Sequence, residues 1–198
     1  MRHSSAYHFL CAACLCCTAY SATMLLAENS QEPIKQIQTL PVKNAFAVIN
    51  PTKGNIVCGV VHFRKVDGGV EIRAIIDGLT PGKHGFHIHE FGDCSAPDAA
   101  SAGGHFNPTN EMHGGPDHSR RHAGDLGNLV ANENGHAVYE RIDSIINLNG
   151  PNSIVGRSVI IHSMPDDYTT QPTGNAGGRV GCGVIIENTS RSTLPACE

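Results

Sequence analysis

The chain has 198 residues, a formal net charge of −4, 5% aromatic residues and no Trp, a length that suits one ordinary domain and little more. No Lys/Arg cluster stands out against the acidic balance, so there is no basic surface for nucleic acid, which is excluded as a partner. Gly 22 and Pro 11, with few apolar repeats at i, i+3, i+4, i+7, argue for a turn-rich β domain and against a helix bundle.

Residues 1–27 read as a secretory signal peptide: Arg2 precedes an apolar run from Phe9 to Leu26, and no acidic residue occurs before Glu28. Cleavage is expected near residue 21, with Ala19 and Ser21 at the small-residue positions, or near residue 27. A signal anchor and a lipid-modified Cys14 or Cys17 compete with this reading. Ser, Thr and Tyr dilute the run, and it is short for a span, so no stable membrane span is expected. Residues 28–43 form a polar, Gln-rich leader, 44–187 the folded domain and 188–198 a C-terminal tail. Export is the expectation, to a periplasm or to extracellular space.

Within the domain, short strands alternate with turn residues. Ala45–Ile49 precedes Asn-Pro-Thr-Lys-Gly, Ile56–Arg64 precedes Asp67-Gly68-Gly69, and Val70–Ile76 precedes Asp77-Gly78. His84–Glu90 follows. After a long loop come Asn128–Ala131, Ala137–Ile142, Ser158–Ile161 and Gly183–Glu187. Eight strands at hairpin-like spacing predict an all-β fold, an eight-stranded antiparallel Greek-key barrel or sandwich. The polar, Gly/Pro-rich stretches from Gly92 to Gly124 and from Ser163 to Gly178 are two long functional loops, because structureless connections of that length need a reason.

The His84–Glu90 strand carries the most informative pattern. His87 and His89 are two apart, so a strand points both imidazoles to one face, half of a copper or zinc site. His-x-His alone is weak evidence, since two histidines on a solvated face look the same. His105, His113, His122, Asp125 and His162 strengthen it: with the first pair they supply imidazoles and one carboxylate for two neighbouring sites.

At these residues the chain resembles the copper-zinc superoxide dismutases, from about Asn44 to Glu187. The matching stretches are Gly85–Asp93, Gly103–Pro108, His113–Pro116, Arg121–Asn128 and Gly174–Ile185. The resemblance implies copper on His87, His89, His105 and His162, and zinc on His105, His113, His122 and Asp125, with His105 bridging the two ions. It also implies that Asp166 accepts hydrogen bonds from one ligand of each metal, and that Arg179 guides the anion. Superoxide is the implied substrate, converted to dioxygen and hydrogen peroxide as copper is alternately reduced and reoxidised. Arg179 and His105 are the implied catalytic pair. Zinc would staple the first loop. A homodimer and a monomer both remain open.

The resemblance further pairs Cys94 with Cys182. With Cys11, Cys14, Cys16 and Cys17 in the signal, Cys58 and Cys197 are the remaining pair, and an exported chain seldom keeps two exposed thiols. A Cys58–Cys197 disulfide is therefore expected, against intermolecular pairing or two free thiols. A four-cysteine zinc site is disfavoured because none of Cys58, Cys94, Cys182 and Cys197 sits in a C-x-x-C spacing. His84 reads as a structural histidine, His62, His118 and His136 as strand or loop surface, and Asp167 as a solvated loop charge.

The chain departs from the familiar pattern in two places. The loop from Asp166 to Gly174 is shorter and lacks the usual Glu-Glu pair and lysine, although Thr173 matches a threonine there. The stretch from Cys94 to His105 is longer. A non-catalytic metal carrier and an adhesion domain on the same barrel are the alternatives; intact ligand positions and Arg179 argue against both.

Overall fold

A computed structural model describes residues 40–188. The expected signal peptide, most of the leader, the tail beyond Asn188 and Cys197 lie outside the described residues. No helix among the described residues is long and apolar enough to cross a membrane.

Among the described residues nine antiparallel strands make the fold: β1 (Asn44–Pro51), β2 (Cys58–Val66), β3 (Gly69–Asp77), β4 (Gly82–His89), β5 (Asp125–Ala131), β6 (Ala137–Asp143), β7 (Ser158–His162), β8 (Arg179–Val184) and β9 (Ile186–Glu187). The sheet runs β5-β4-β7-β8-β1-β2-β3-β6, with β9 paired to β1. Its two ends nearly close on each other, and the Tyr139 hydroxyl of β6 donates to the Leu126 carbonyl of β5 at 2.8 Å. The result is the expected all-β, nearly closed antiparallel barrel.

Period-two alternation sorts the side chains. Ala45, Ala47 and Ile49 of β1, Val61 and Phe63 of β2, and Ile72, Ala74 and Ile76 of β3 are buried in one core. Ile75 breaks the alternation in composition only: it points outward and is 55% exposed. Strands β4 and β7 are buried on both faces. Phe86 and Ile88 of β4, and Val159 and Ile161 of β7, fill the barrel. The opposite faces, His87 and His89 on β4 and Ile160 and His162 on β7, lie beneath the long loops.

Most strand bounds differ from the sequence reading by a residue or more, three of them notably. β5 starts at Asp125, three residues early, and β2 starts at Cys58 rather than Ile56. The expected strand Gly183–Glu187 is really the end of β8, which starts at Arg179, and a separate β9. Glycines hide β8 from pattern reading. A Cβ on Gly181 would meet Ile49 Cγ2 at 2.9 Å, and one on Gly183 would meet the Val48 carbonyl oxygen at 2.4 Å, so β1 passes too close for side chains. Ile185 then turns into the core and splits the segment. The first loop also holds a short 3₁₀ turn, Ala100–Ala102.

Candidate metal centre

The two loops and the β4–β7 face bring every candidate ligand together. His87 pairs with Asp125 across β4–β5, and His105 forms an isolated bridge to His89. His162 ends β7 opposite Arg179. Ligand atoms of His87, His89, His105 and His162 lie within 4.8 Å of one another, and so do those of His105, His113, His122 and Asp125. All are buried. His105 belongs to both groups.

Hydrogen bonds decide which ring nitrogen faces inward. His89 Nδ1 donates to the Gly103 carbonyl at 3.0 Å and His162 Nδ1 to the Gly177 carbonyl at 3.2 Å, leaving both Nε2 atoms inward and 3.4 Å apart. His87 Nε2 donates to Asp166 Oδ2 at 2.8 Å, so its Nδ1 faces the cluster. His105 gives Nδ1 to Asp125 Oδ1 at 2.8 Å and keeps Nε2 for the first group. The same Asp125 oxygen lies 3.0 Å from His113 Nδ1 and 3.2 Å from His122 Nδ1. Asp125 Oδ2 is fixed by the amides of Gly114 and His122, each at 3.0 Å.

Asp166 spans the groups. Its Oδ1 takes the His113 Nε2 proton at 2.9 Å while Oδ2 takes that of His87. A carboxylate behind a ligating imidazole fixes its tautomer and ring orientation.

The donor set suits metal ions. His87 Nδ1, His105 Nε2 and His113 Nδ1 are buried side-chain nitrogens without a hydrogen-bond partner, a costly arrangement unless something else takes their lone pairs. For His113 the neighbouring Asp125 oxygen is close but off the hydrogen-bonding line. All three atoms belong to the two groups. Four imidazoles match a copper site, and three imidazoles with one carboxylate a closed zinc site.

Electrostatics divide the groups. Burial, then the nearby His105, push His87 down to about 3. Burial takes His162 down to about 4, and burial with His105 holds His89 well below its ordinary value. These rings are neutral at neutral pH, as ligands must be. On the other side burial opposes protonation of His113, but contacts with Asp125 and Asp166 outweigh it and raise the ring to about 9. Burial also opposes ionisation of Asp125 and Asp166. The His105 hydrogen bond and the close rings of His113 and His122 hold Asp125 far below the usual carboxylate range, and hydrogen bonds from His113 and His87 do the same for Asp166.

Arg179 opens β8. Its Nη1 donates to the Ala99 carbonyl at 2.5 Å and its Nη2 to the Gly103 carbonyl at 2.6 Å, the latter shared with His89. The Cys94–Cys182 disulfide is formed, with Cα atoms 5.9 Å apart. It ties β8 to the start of the segment that supplies both carbonyls.

The remaining histidines separate as expected. His84 is 3% exposed, donating Nδ1–H to the His162 carbonyl at 2.8 Å, with Nε2 2.8 Å from the Thr80 carbonyl. His136 pairs with Asp77 at 2.7 Å on the surface, His118 accepts from the Gly115 amide, and His62 is exposed. Asp167 is exposed yet not idle: it accepts from the amides of Thr169 and Thr170 and the Thr170 hydroxyl, which hold it down to about 2.

Several structural partners escape sequence reading. Asn128 accepts from the Asp166 amide at 2.8 Å and donates to the Asp166 carbonyl at 3.0 Å and the Tyr168 hydroxyl at 2.9 Å. The one hint is an Asn inside a strand, a residue strands avoid. Buried Arg121 pairs with Asp143 and holds the carbonyls of His122 and Ala123. Arg157 lies 3.5 Å over the Phe106 ring, beside His105.

Comparison with known proteins agrees with this geometry. A family profile described as copper/zinc superoxide dismutase (SODC) matches residues 57–185. An extracellular superoxide dismutase [Cu-Zn] of Brugia pahangi is 45% identical over 150 residues, covering 71% of this chain and 74% of that one. Superoxide dismutase [Cu-Zn] 5 of Dictyostelium discoideum is 45% identical over 141 residues, covering 67% and 92%. Among solved structures, the clock protein EA4 superposes with a TM-score of 0.70 at 43% identity, over 76% of this chain and 98% of that one. The chain belongs to the copper/zinc superoxide dismutase family and is an oxidoreductase with superoxide dismutase activity.

Proposed function

We propose that two superoxide anions and two protons become dioxygen and hydrogen peroxide at the His87–His89–His105–His162 group. When bound, copper there supplies a one-electron couple, and zinc on His105, His113, His122 and Asp125 a redox-silent structural charge. Two four-ligand groups sharing His105 through opposite ring nitrogens carry this reading.

The chain's own residues do the rest. Arg179 spends two of its N–H donors on Ala99 and Gly103 and offers its remaining positive edge to the anion. His105 commits Nδ1 to the Asp125 side, so Nε2 is the ring atom that holds a proton for the product. Asp166 keeps His87 and His113 in register with each other. The shorter Asp166–Gly174 loop lacks the expected lysine, which leaves Arg179 a larger share of the steering.

We place the enzyme domain at 44–187 and infer export, supported by the disulfide, the signal-like N-terminus and an extracellular relative. Elemental analysis with a superoxide-decay assay tests the site. His162→Ala should lose copper and activity but keep zinc, because His162 belongs to the first group alone. Full copper with full activity in that variant would refute the assignment.

A further inference from the structure

The short loop that replaces the usual charged segment is not a remnant. We propose that Gln171 is a positioning residue for His113, and that the Asp166–Gly174 loop is a clamp retaining zinc; the proposal rests on the four-ligand reading above.

Gln171 grips the backbone of His113 on both sides. Its Oε1 accepts from the His113 amide at 2.9 Å, and its Nε2 donates to the His113 carbonyl at 3.0 Å. The second Nε2 proton goes to the Thr169 carbonyl at 3.3 Å, so both donors of the amide are engaged. His113 lies outside every strand, and Gln171 supplies what a strand neighbour would. The other residues of this group have their own supports. Asp125 opens β5, His105 bridges to β4, and Arg121 holds the His122 carbonyl.

The same loop takes the His113 ring. Asp166, five positions before Gln171, accepts its Nε2 proton. Gly174 closes over that bond: at φ +68° a Cβ there would sit 1.9 Å from Asp166 Oδ1 and 2.6 Å from His113 Nε2. Tyr168 packs on Gly115, two residues past His113, where a Cβ would lie 3.3 Å from Tyr168 Cγ.

The clamp is stiff in its own right. Asp167 organises Thr169 and Thr170, its amide donates to the Gly174 carbonyl at 2.9 Å, and the Gly174 amide donates to the Thr170 carbonyl at 2.7 Å. A ligand ordered before the ion arrives costs less conformational entropy on binding, and its partner groups tune metal affinity. In this chain the short loop therefore adds a backbone grip on His113 to the Asp166 contact with its ring.

The test uses the full chain, following zinc loss to excess chelator and the visible spectrum of Co(II) at the zinc position. Gln171→Ala should lose zinc faster, on the order of tenfold, and should shift the Co(II) bands while copper content stays unchanged. Gln171→Glu keeps the acceptor for the His113 amide but turns a carboxylate oxygen toward the His113 carbonyl, and should lose zinc at least as fast. Gln171→Met keeps the length without the amide and gives the same reading should the alanine variant fail to fold. Zinc loss and Co(II) spectra indistinguishable from wild type in all three would overturn the clamp alone. A wild-type chain that takes up neither zinc nor Co(II) would overturn the four-ligand reading and the clamp with it.

Discussion

Arg179 shows what one side chain can do when its backbone and its guanidinium are both held. Strand β8 and the Cys94–Cys182 bond fix the backbone, and two carbonyls at 2.5 and 2.6 Å fix the fork. A planar fork holds two acceptors in fixed geometry on separate nitrogens and still presents charge; an ammonium is a point charge on a flexible stem without that rigid fork. Arg179→Ile should leave both metals bound and lower the rate. What rate remains should depend less on salt, because attraction by exposed charge is screened. Arg179→Lys should fall between the two, restoring charge without the two-point anchor. Stopped-flow superoxide decay across ionic strengths measures this. Wild-type rate and salt dependence in Arg179→Ile would contradict the role.

At the scale of elements, the legible parts are those where one residue type repeats at the right period. Strand β4 shows itself because Phe86 and Ile88 alternate with His87 and His89, and burial and ligand position share one pattern. Strand β8 does not, since its glycines are demanded by the neighbouring β1 and leave no apolar rhythm. The ligand sets were readable only through resemblance: nothing in spacing alone says that His162 joins His87. The clamps are nearly illegible, an Asn inside a strand being the one hint. Asn128 and Gln171 act by side-chain bonds to backbone groups 38 and 58 residues away, which leave no periodic trace. Asn128 makes the sharper test of element docking, since it ties β5 to the second loop at Asp166. Asn128→Ala strands part-buried backbone groups of Asp166 and should cost about 1–3 kcal/mol. Because Asp166 touches His87 and His113 alike, that variant should speed loss of both metals. Denaturant unfolding and metal-exchange rates report the two effects; unaltered copper exchange would show that Asp166 is held by other means.

For the whole molecule, His113 pulls stability against the other buried ligand groups as pH changes when metal has been removed. His87 and His162 fall from 6.5 to about 3 and about 4 on folding. Between those values and 6.5 the unfolded chain binds more protons, so stability rises with pH across that window. Asp125 and Asp166, with pKa depressed, act in the same sense at the acid end, their contribution being lost as pH falls below the unfolded carboxylate range. His113 runs the other way. Its folded value of about 9 lies above 6.5, so its contribution is whole below 6.5 and is lost as pH rises toward 9. The chelator-treated chain should therefore have its highest melting temperature near pH 6.5 and lose stability on both sides. Zinc binding requires His113 without its extra proton. With zinc bound, the alkaline fall should disappear while the acid fall remains, as protons compete for the ligands. Melting curves of chelated and zinc-loaded protein from pH 4 to 9 measure this. A chelated chain whose stability climbs steadily from pH 6.5 to 9 would show that His113 is not held as an imidazolium between Asp125 and Asp166.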